Sequence, residues 1–461
     1  QIVWNGSVSK SWEDGDNWST GKVPSSNDTV TIETGSNDVN LDKPVTVKLF
    51  TMSSGVMDLQ KNNLVITDKA AFASGEILNG NVIVIGTGSA TFSGTLFNAK
   101  VNVSTASVFL NGSVFNDSLF VTKKGKSNDL SKGGNMFNEP VCLTDSGDGA
   151  LVLSDSLTDV FKEQLIVTNV GEGAIYLAHR SRDNEFYEDV FLNGSKIFSN
   201  YYGTAIYSGN IFIDSPNGEI YFGVSEGSCT LSYGKKLSTP ISTISAGKLF
   251  LRNFYSLDSL STIKLDLGGS GQLYLETGTV FHDKVSFTAP SLFLNGATFN
   301  DVADFTNTGN SNVTSTGGCT FAKAMTLTKS GGATKIYSLS NTMQDTYHGI
   351  ATFENTSGTF SLNNGLFKKK CTLKNNTTTG EGFYIAGAGS CTFKDSVVIT
   401  KLDGPGMFFG GGNVLIDSAS NLYFSSGIGG TAAFQKLTRA GTAPINIENG
   451  PDNLYLGPNN T

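Results

Sequence analysis

"VFLNGSVFNDS", Val108 to Ser118, returns as "LFLNGATFNDV", Leu292 to Val302. Phe115 and Phe299 are 184 residues apart, and the same offset carries Phe97 onto Phe281 and Phe137 onto Phe321. A register that survives from Phe97 to Phe137 marks a long internal repeat. Phe72, Phe254 and Phe434 extend it, with separations of 182 and 180. "IKLDLGGSGQLYLE" around Leu273 is echoed by "INIENGPDNLYLG" around Leu454. The chain divides on these anchors into an opening piece, 1–33, and a short lead, 34–71. Two copies of one unit follow, 72–253 and 254–433, and then the start of a third, 434–461.

A shorter beat runs inside each copy. Phe97, Phe115, Phe137, Phe161 and Phe186 are spaced 18, 22, 24 and 25. Phe281, Phe299, Phe321, Tyr347, Phe367 and Phe393 are spaced 18, 22, 26, 20 and 26. Most beats are followed by a short apolar run: "VNV" at Val101, "LIVT" at Leu165, "VSF" at Val285, "VVIT" at Val397. Apolar and polar residues alternate there with period two, the signature of strands. Gly, Asn, Asp and Ser fill the gaps as turn formers. "LNG" occurs at Leu78, Leu110, Leu192 and Leu294, an Asn-Gly pair suited to backbone with positive φ. Helical periodicity is weak and confined to "TDVFKEQL", Thr158 to Leu165. The expected fold is all-β, a right-handed parallel β-helix of about 20 rungs, one beat per rung. A propeller or sandwich is the alternative, but blades of about 40 residues would need two beats each, and uneven beats suit rungs with variable turns.

Composition narrows the function. The net charge is −8, so a nucleic-acid partner, which needs a basic face, is not expected. Apolar residues make up 38% of the chain, too many for a disordered one. No apolar run is long enough for a membrane span. The chain starts at Gln1, as a mature exported protein does after its leader is removed. The five cysteines are odd in number, and three share a context: Gly-Ser-Cys229-Thr, Gly-Gly-Cys319-Thr and Gly-Ser-Cys391-Thr. A fixed context predicts a fixed structural slot, with free Cys acting as a small core hydrophobe.

All three tryptophans, Trp4, Trp12 and Trp18, lie in the opening piece, which lacks the Phe beat. A solenoid end exposes core and unpaired backbone, so terminal repeats must differ from the rest. The tryptophans are therefore expected to form a lid. Trp4-x-Gly6, Trp12, Asn17-Trp18, Gly21, Pro24 and "DTVTI" from Asp28 to Ile32 also resemble a module that opens many bacterial β-helical surface proteins. The Phe-rich repeats after it are similar to those of very large, adhesin-like surface proteins of Bacteroidota. That resemblance implies a secreted, cell-surface location, type IX secretion, and an adhesive, structural or gliding-related role. Surface glycans, other surface proteins or secretion machinery would be the partners. The C-terminal sorting domain of such proteins is not visible here. The resemblance also gives meaning to Asp-Ser/Thr-aliphatic tripeptides at Thr29, Ser118, Ser156, Ser259, Ser396 and Ser418, since the O-glycosylation motif of those proteins has that form. By itself, Asp-Ser is a common turn pair.

Catalytic chemistry finds few candidates. His179, His282 and His348 are scattered, and a catalytic site needs a constellation. "SRDNEFYED", Ser181 to Asp189, with Arg180, is the densest charged patch and reads as a solvated long turn. Asp14 and Asp16 in "EDGDNW" suggest a calcium loop but lack its full ligand pattern, so a turn or cap is the simpler use. No catalytic residue, cofactor or metal ligand is assigned. The function expected is a non-catalytic extracellular β-helical segment of a surface adhesin or fibre. The alternative is a polysaccharide lyase or hydrolase, or a glycan-binding β-helix. The last rung motif, "NLYLGPNNT", stops one residue short of the next beat, so a further apolar residue and more copies are expected to follow Thr461.

Overall fold

Strand Thr95–Thr105 alternates without a break: Thr95, Phe97, Ala99, Val101, Val103 and Thr105 are buried and the residues between them are half-exposed. One face of that strand belongs to a core, as period two requires. The computed structural model describes residues 1–232, 234–238, 247–257, 260–380, 382–401, 405–417, 420–427, 431–440, 445–447 and 453–456. It divides into two compact units, Gln1–Ser215 with Glu219–Thr230, and Pro216–Gly218 with Leu231–Thr461. Each is a parallel β-solenoid. Among the described residues about 18 turns are formed and 55% of positions are strand. Among the described residues the one helix is a 3-10 turn, Gly15–Asn17.

The Phe beat is an internal ladder. In the first unit Phe97, Phe115, Phe137, Phe161, Phe186 and Tyr207 pair in strict register. Their rings stack at 5.0, 5.3, 4.5, 5.1 and 4.6 Å. That is close to the spacing of neighbouring strands, so each ring rests on the one before without bending the backbone. The second unit repeats the ladder through Phe281, Phe299, Phe321, Tyr347, Phe367 and Phe393. Later turns have three strands, for example Met136–Phe137, Val141–Asp145 and Leu151–Val152, while in the first turns one strand covers two sides, as Thr95–Thr105 does. The uneven beat is absorbed at the corners between them. Three of the four "LNG" corners place glycine at positive φ, Gly112, Gly194 and Gly296; in the fourth, Asn79 takes the left-handed conformation.

Two expectations change. Thr158–Leu165 forms no helix: Val160–Phe161 is a strand and another starts at Leu165. Phe161 and Leu165 are both buried, one on each side of a corner, and their spacing of four mimics a helical turn. Of the three long-repeat anchors, Phe254 is out of register. Phe72 stacks through Phe92 onto Leu110, while Leu251 stacks through Leu275 onto Leu294, the counterpart of Leu110. Leu251 thus fills the slot of Phe72, and Phe254 lies three residues beyond it.

The opening piece is a lid. Trp4, Trp12 and Trp18 are 1%, 0% and 2% exposed. Trp18 meets Trp4 and Trp12 edge-on, at 4.9 and 4.6 Å. Trp4 lies in register with Ile32, Met52 and Phe72, and so extends an interior column to its end. Trp4 Nε1 donates to Asn37 O and Trp18 Nε1 to Trp12 O.

The recurring cysteines occupy one slot, two residues before the beat. Thr95, Ser113, Asn135, Asp159, Asn184 and Ala205 fill it in the first unit, with Cys229 on the next strand paired to that of Ala205; Thr279, Ala297, Cys319, Asp345, Gly365, Cys391 and Val414 fill it in the second. All five cysteines are unpaired; Cys142 is half-buried and the other four buried. Cys319 and Cys391 share a column with Asp345 and Gly365 between them, so three rungs put them beyond disulfide reach. Mass spectrometry of the intact, non-reduced chain is expected to show no loss of hydrogen. A mass lower by two or four hydrogens would contradict this arrangement.

Candidate functional site

The most strongly perturbed carboxyls lie in that slot. Asp159 and Asp345 occupy the same turn of the two long repeats and neither is exposed. Ser154 and Ser340, both at φ 54°, precede them by five residues and donate to their Oδ2 atoms. Asp159 Oδ1 accepts from Asn135 N at 2.8 Å, and Asp345 Oδ1 from Cys319 N at 2.7 Å. Burial pushes Asp159 up to about 6 and Asp345 up to about 7, against these hydrogen bonds, which favour the charged form. A perturbed acid in a cleft is a catalytic candidate. These two face the interior and tie one rung's backbone to the next.

A second buried polar column runs along another corner. Lys123, Asp145 and Asn169 pair in register, and all three are buried. Lys123 Nζ donates to Gly125 O at 2.9 Å and Gly149 O at 2.7 Å. In the second unit Lys329, Asn355, Asn375 and Lys401 take the equivalent places. A sequence reading assigns such residues to the surface, because their burial depends on turn lengths that vary from rung to rung.

On the outside of the first unit, Tyr176, Phe198 and Tyr221 stack at 4.5 Å each. Beside them His179 Nδ1 lies 2.8 Å from Asp155 Oδ1, with Arg180 at 3.5 Å from the same oxygen. The ring of Tyr201 stacks on His179, and Tyr202 packs edge-on to Tyr201. His282 is within 3.2 Å of Asn300, and His348 is exposed. The structure does not bring the histidines together.

The patch from Ser181 to Asp189, expected as a long turn, contains a short strand, Asn184–Phe186, flanked by corners. Asn184 and Phe186 point inward, and Asn184 Oδ1 accepts from Asp159 N. Tyr187 Oη donates to Glu185, and Asp189 Oδ1 accepts from Asn210. Asp14 caps the 3-10 turn by accepting from Asp16 N, and its other oxygen accepts from Ser9. Among the described residues no three His, Cys, Asp or Glu side chains are grouped to hold a metal.

Two of the Asp-Ser pairs hold their own turns, and Thr29 opens the strand Thr29–Ile32. Asp117 Oδ1 accepts from Ser118 N, and Asp395 Oδ1 from Ser396 N. Ser156 is exposed, while Thr29, Ser118 and Ser396 are half-buried. Ser259 and Ser418 lie outside the described residues.

The second unit carries a pair of hollows on its outer face. Tyr384 and Phe408 stack at 5.0 Å and 20°. One hollow, of about 300 Å³, lies on the Tyr384 side over Ser338, Ser361 and Asn363. The other, of about 250 Å³, lies on the Phe408 side over Ala433 and Gln435; Tyr384 and Gly387 line both. In the outward column the order is Ser338, Ser361, Tyr384, Phe408, Ala433. No periodic residue type marks this column, so sequence reading misses it. Comparison with known proteins returns no matching family, no matching curated sequence and no matching solved structure.

Proposed function

We propose that this chain is a non-catalytic, extracellular β-solenoid segment of a large secreted cell-surface adhesin or surface fibre. One observation carries the reading: the strongly perturbed acids, Asp159 and Asp345, are spent inside the ladder, joining backbone to backbone. A β-helical lyase or hydrolase needs carboxylates from neighbouring rungs to converge on an open cleft. Among the described residues, the hollows around Tyr384 and Phe408 are lined instead by uncharged ones. No helix among the described residues is long and apolar enough to cross a membrane. Partners on this reading are surface glycans or other surface proteins, with glycans attached at the exposed corner Ser156 first. The module and repeats that resemble Bacteroidota surface proteins point to the same setting.

The test has two readouts. Antibody against the chain is expected to label intact producing cells. The purified protein is expected to release no reducing ends or unsaturated uronides from neutral and acidic polysaccharides. Sustained turnover would replace this reading with the carbohydrate-active one.

A further inference from the structure

We propose that the hollows flanking the Tyr384–Phe408 stack bind sugar rings of a neutral oligosaccharide. Outward aromatic stacks recur on the solenoids, the Phe191–Phe212 pair of the first unit among them, and the three-ring ladders cover their middle rings. In Tyr176–Phe198–Tyr221 the middle ring is covered on both faces, and so is Tyr274 between Phe250 and Phe293. The Tyr384–Phe408 stack stops after two rings. Its next members in register are Ser361 on one side and Ala433 on the other. Each outer ring face therefore borders a hollow where the stack would have continued. The rungs fix the pitch of that stack at about 4.7–4.9 Å. A flat apolar face at that pitch suits the C–H face of a pyranose, much as it suits another ring.

The floor supplies the polar half of the match. Asn363 is 3% exposed and fully engaged. Its Nδ2 donates to Ser338 Oγ at 2.8 Å and Asn341 Oδ1 at 3.3 Å; its Oδ1 accepts from Ser361 Oγ at 3.0 Å and Ala388 N at 3.2 Å. This leaves Ser338 with its own hydroxyl proton, Asn341 with its amide protons and Ser361 with oxygen lone pairs, all directed by one buried amide. Donors and acceptors that alternate within a few ångströms match vicinal hydroxyls, which are both. Among the described residues no charged side chain lines either hollow, which favours a neutral saccharide over a uronate or sulfated one. Glycine keeps the floor low: at Gly411, φ +91°, a Cβ would stand 2.3 Å from Gly387 O.

The site rests on the non-catalytic reading above only in that bound sugar is held and not cleaved. The experiment titrates the whole chain with β-1,4-linked gluco-, manno- and xylo-hexaose and with hexagalacturonate, by calorimetry. At least one neutral hexaose is expected to bind, with hexagalacturonate at least tenfold weaker. Ser361→Phe should extend the stack, fill the Tyr384-side hollow and weaken binding at least tenfold without lowering the melting temperature. Tyr384→Ala should weaken it similarly. Failure of all neutral hexaoses to bind at millimolar concentration would overturn the site, as would equal affinity for the acidic one or an unchanged affinity in Ser361→Phe. Cleavage of a bound hexaose would overturn the non-catalytic reading and leave the site standing.

Discussion

Trp18→Ala is expected to destabilise the first turns by about 3–5 kcal/mol, the usual cost of emptying a buried aromatic site. The ring is wedged between Trp4 and Trp12, so its removal opens a cavity that neither neighbour can fill alone. It also strips the carbonyl of Trp12 of its indole donor. Strand Ile2–Trp4, held on one side by Thr29–Ile32, then loses its inner support. Hydrogen exchange should accelerate in residues 1–58 and stay unchanged in the second unit. The uncovered column through Ile32 and Met52 should promote association, visible by sedimentation. Exchange that quickens only far from the N-terminus would refute the lid.

Asp345→Asn, combined with Asp159→Asn, is expected to change how stability depends on pH. Each native acid is raised by burial, to about 7 and about 6. The folded chain then holds protons that the unfolded chain has released, over the window from about 4 to about 7. In that window the folded state binds more protons, so rising pH lowers stability. The contribution is complete below the unfolded pKa and lost as pH climbs through the folded one. The loss is on the order of 3 kcal/mol for each site by pH 8. The amide carries no charge to bury, so the double variant should be less sensitive to pH than the native chain and should gain on it at pH 8. Melting curves from pH 4.5 to 8 decide it; parallel profiles for the two proteins would rule the mechanism out.

The ladder was readable from sequence because its residue type is nearly constant. Phe at each rung outlasts changes in turn length, so intervals of 18 to 26 still disclose one column. The tryptophan lid was readable for the opposite reason, as a break in that pattern. The slot two residues before each beat was visible only where it held cysteine. Asn135, Asp159 and Asn184 do the same work with different chemistry, and only the register reveals them as one column. Phe254 shows the hazard in trusting residue type: an aromatic near the expected offset outweighed the leucine that fills the slot. The hollows were not legible because Ser338, Ser361, Tyr384 and Phe408 share a column without sharing a type. What matters there is where an aromatic series stops, and that is defined only by its neighbours on adjacent rungs.

The crowding of every indole into the lid also gives the protein an optical address. Selective excitation of tryptophan would report on one end of the first unit alone, while tyrosine emission and backbone dichroism average over both. Each turn of a solenoid leans mainly on its neighbours, so cooperativity along the chain is finite. A denaturant titration followed by the two signals therefore measures how far unfolding at that end propagates. Coincident transitions would mean that the loss of one turn is felt throughout; separated ones would measure the length of chain that melts as a block.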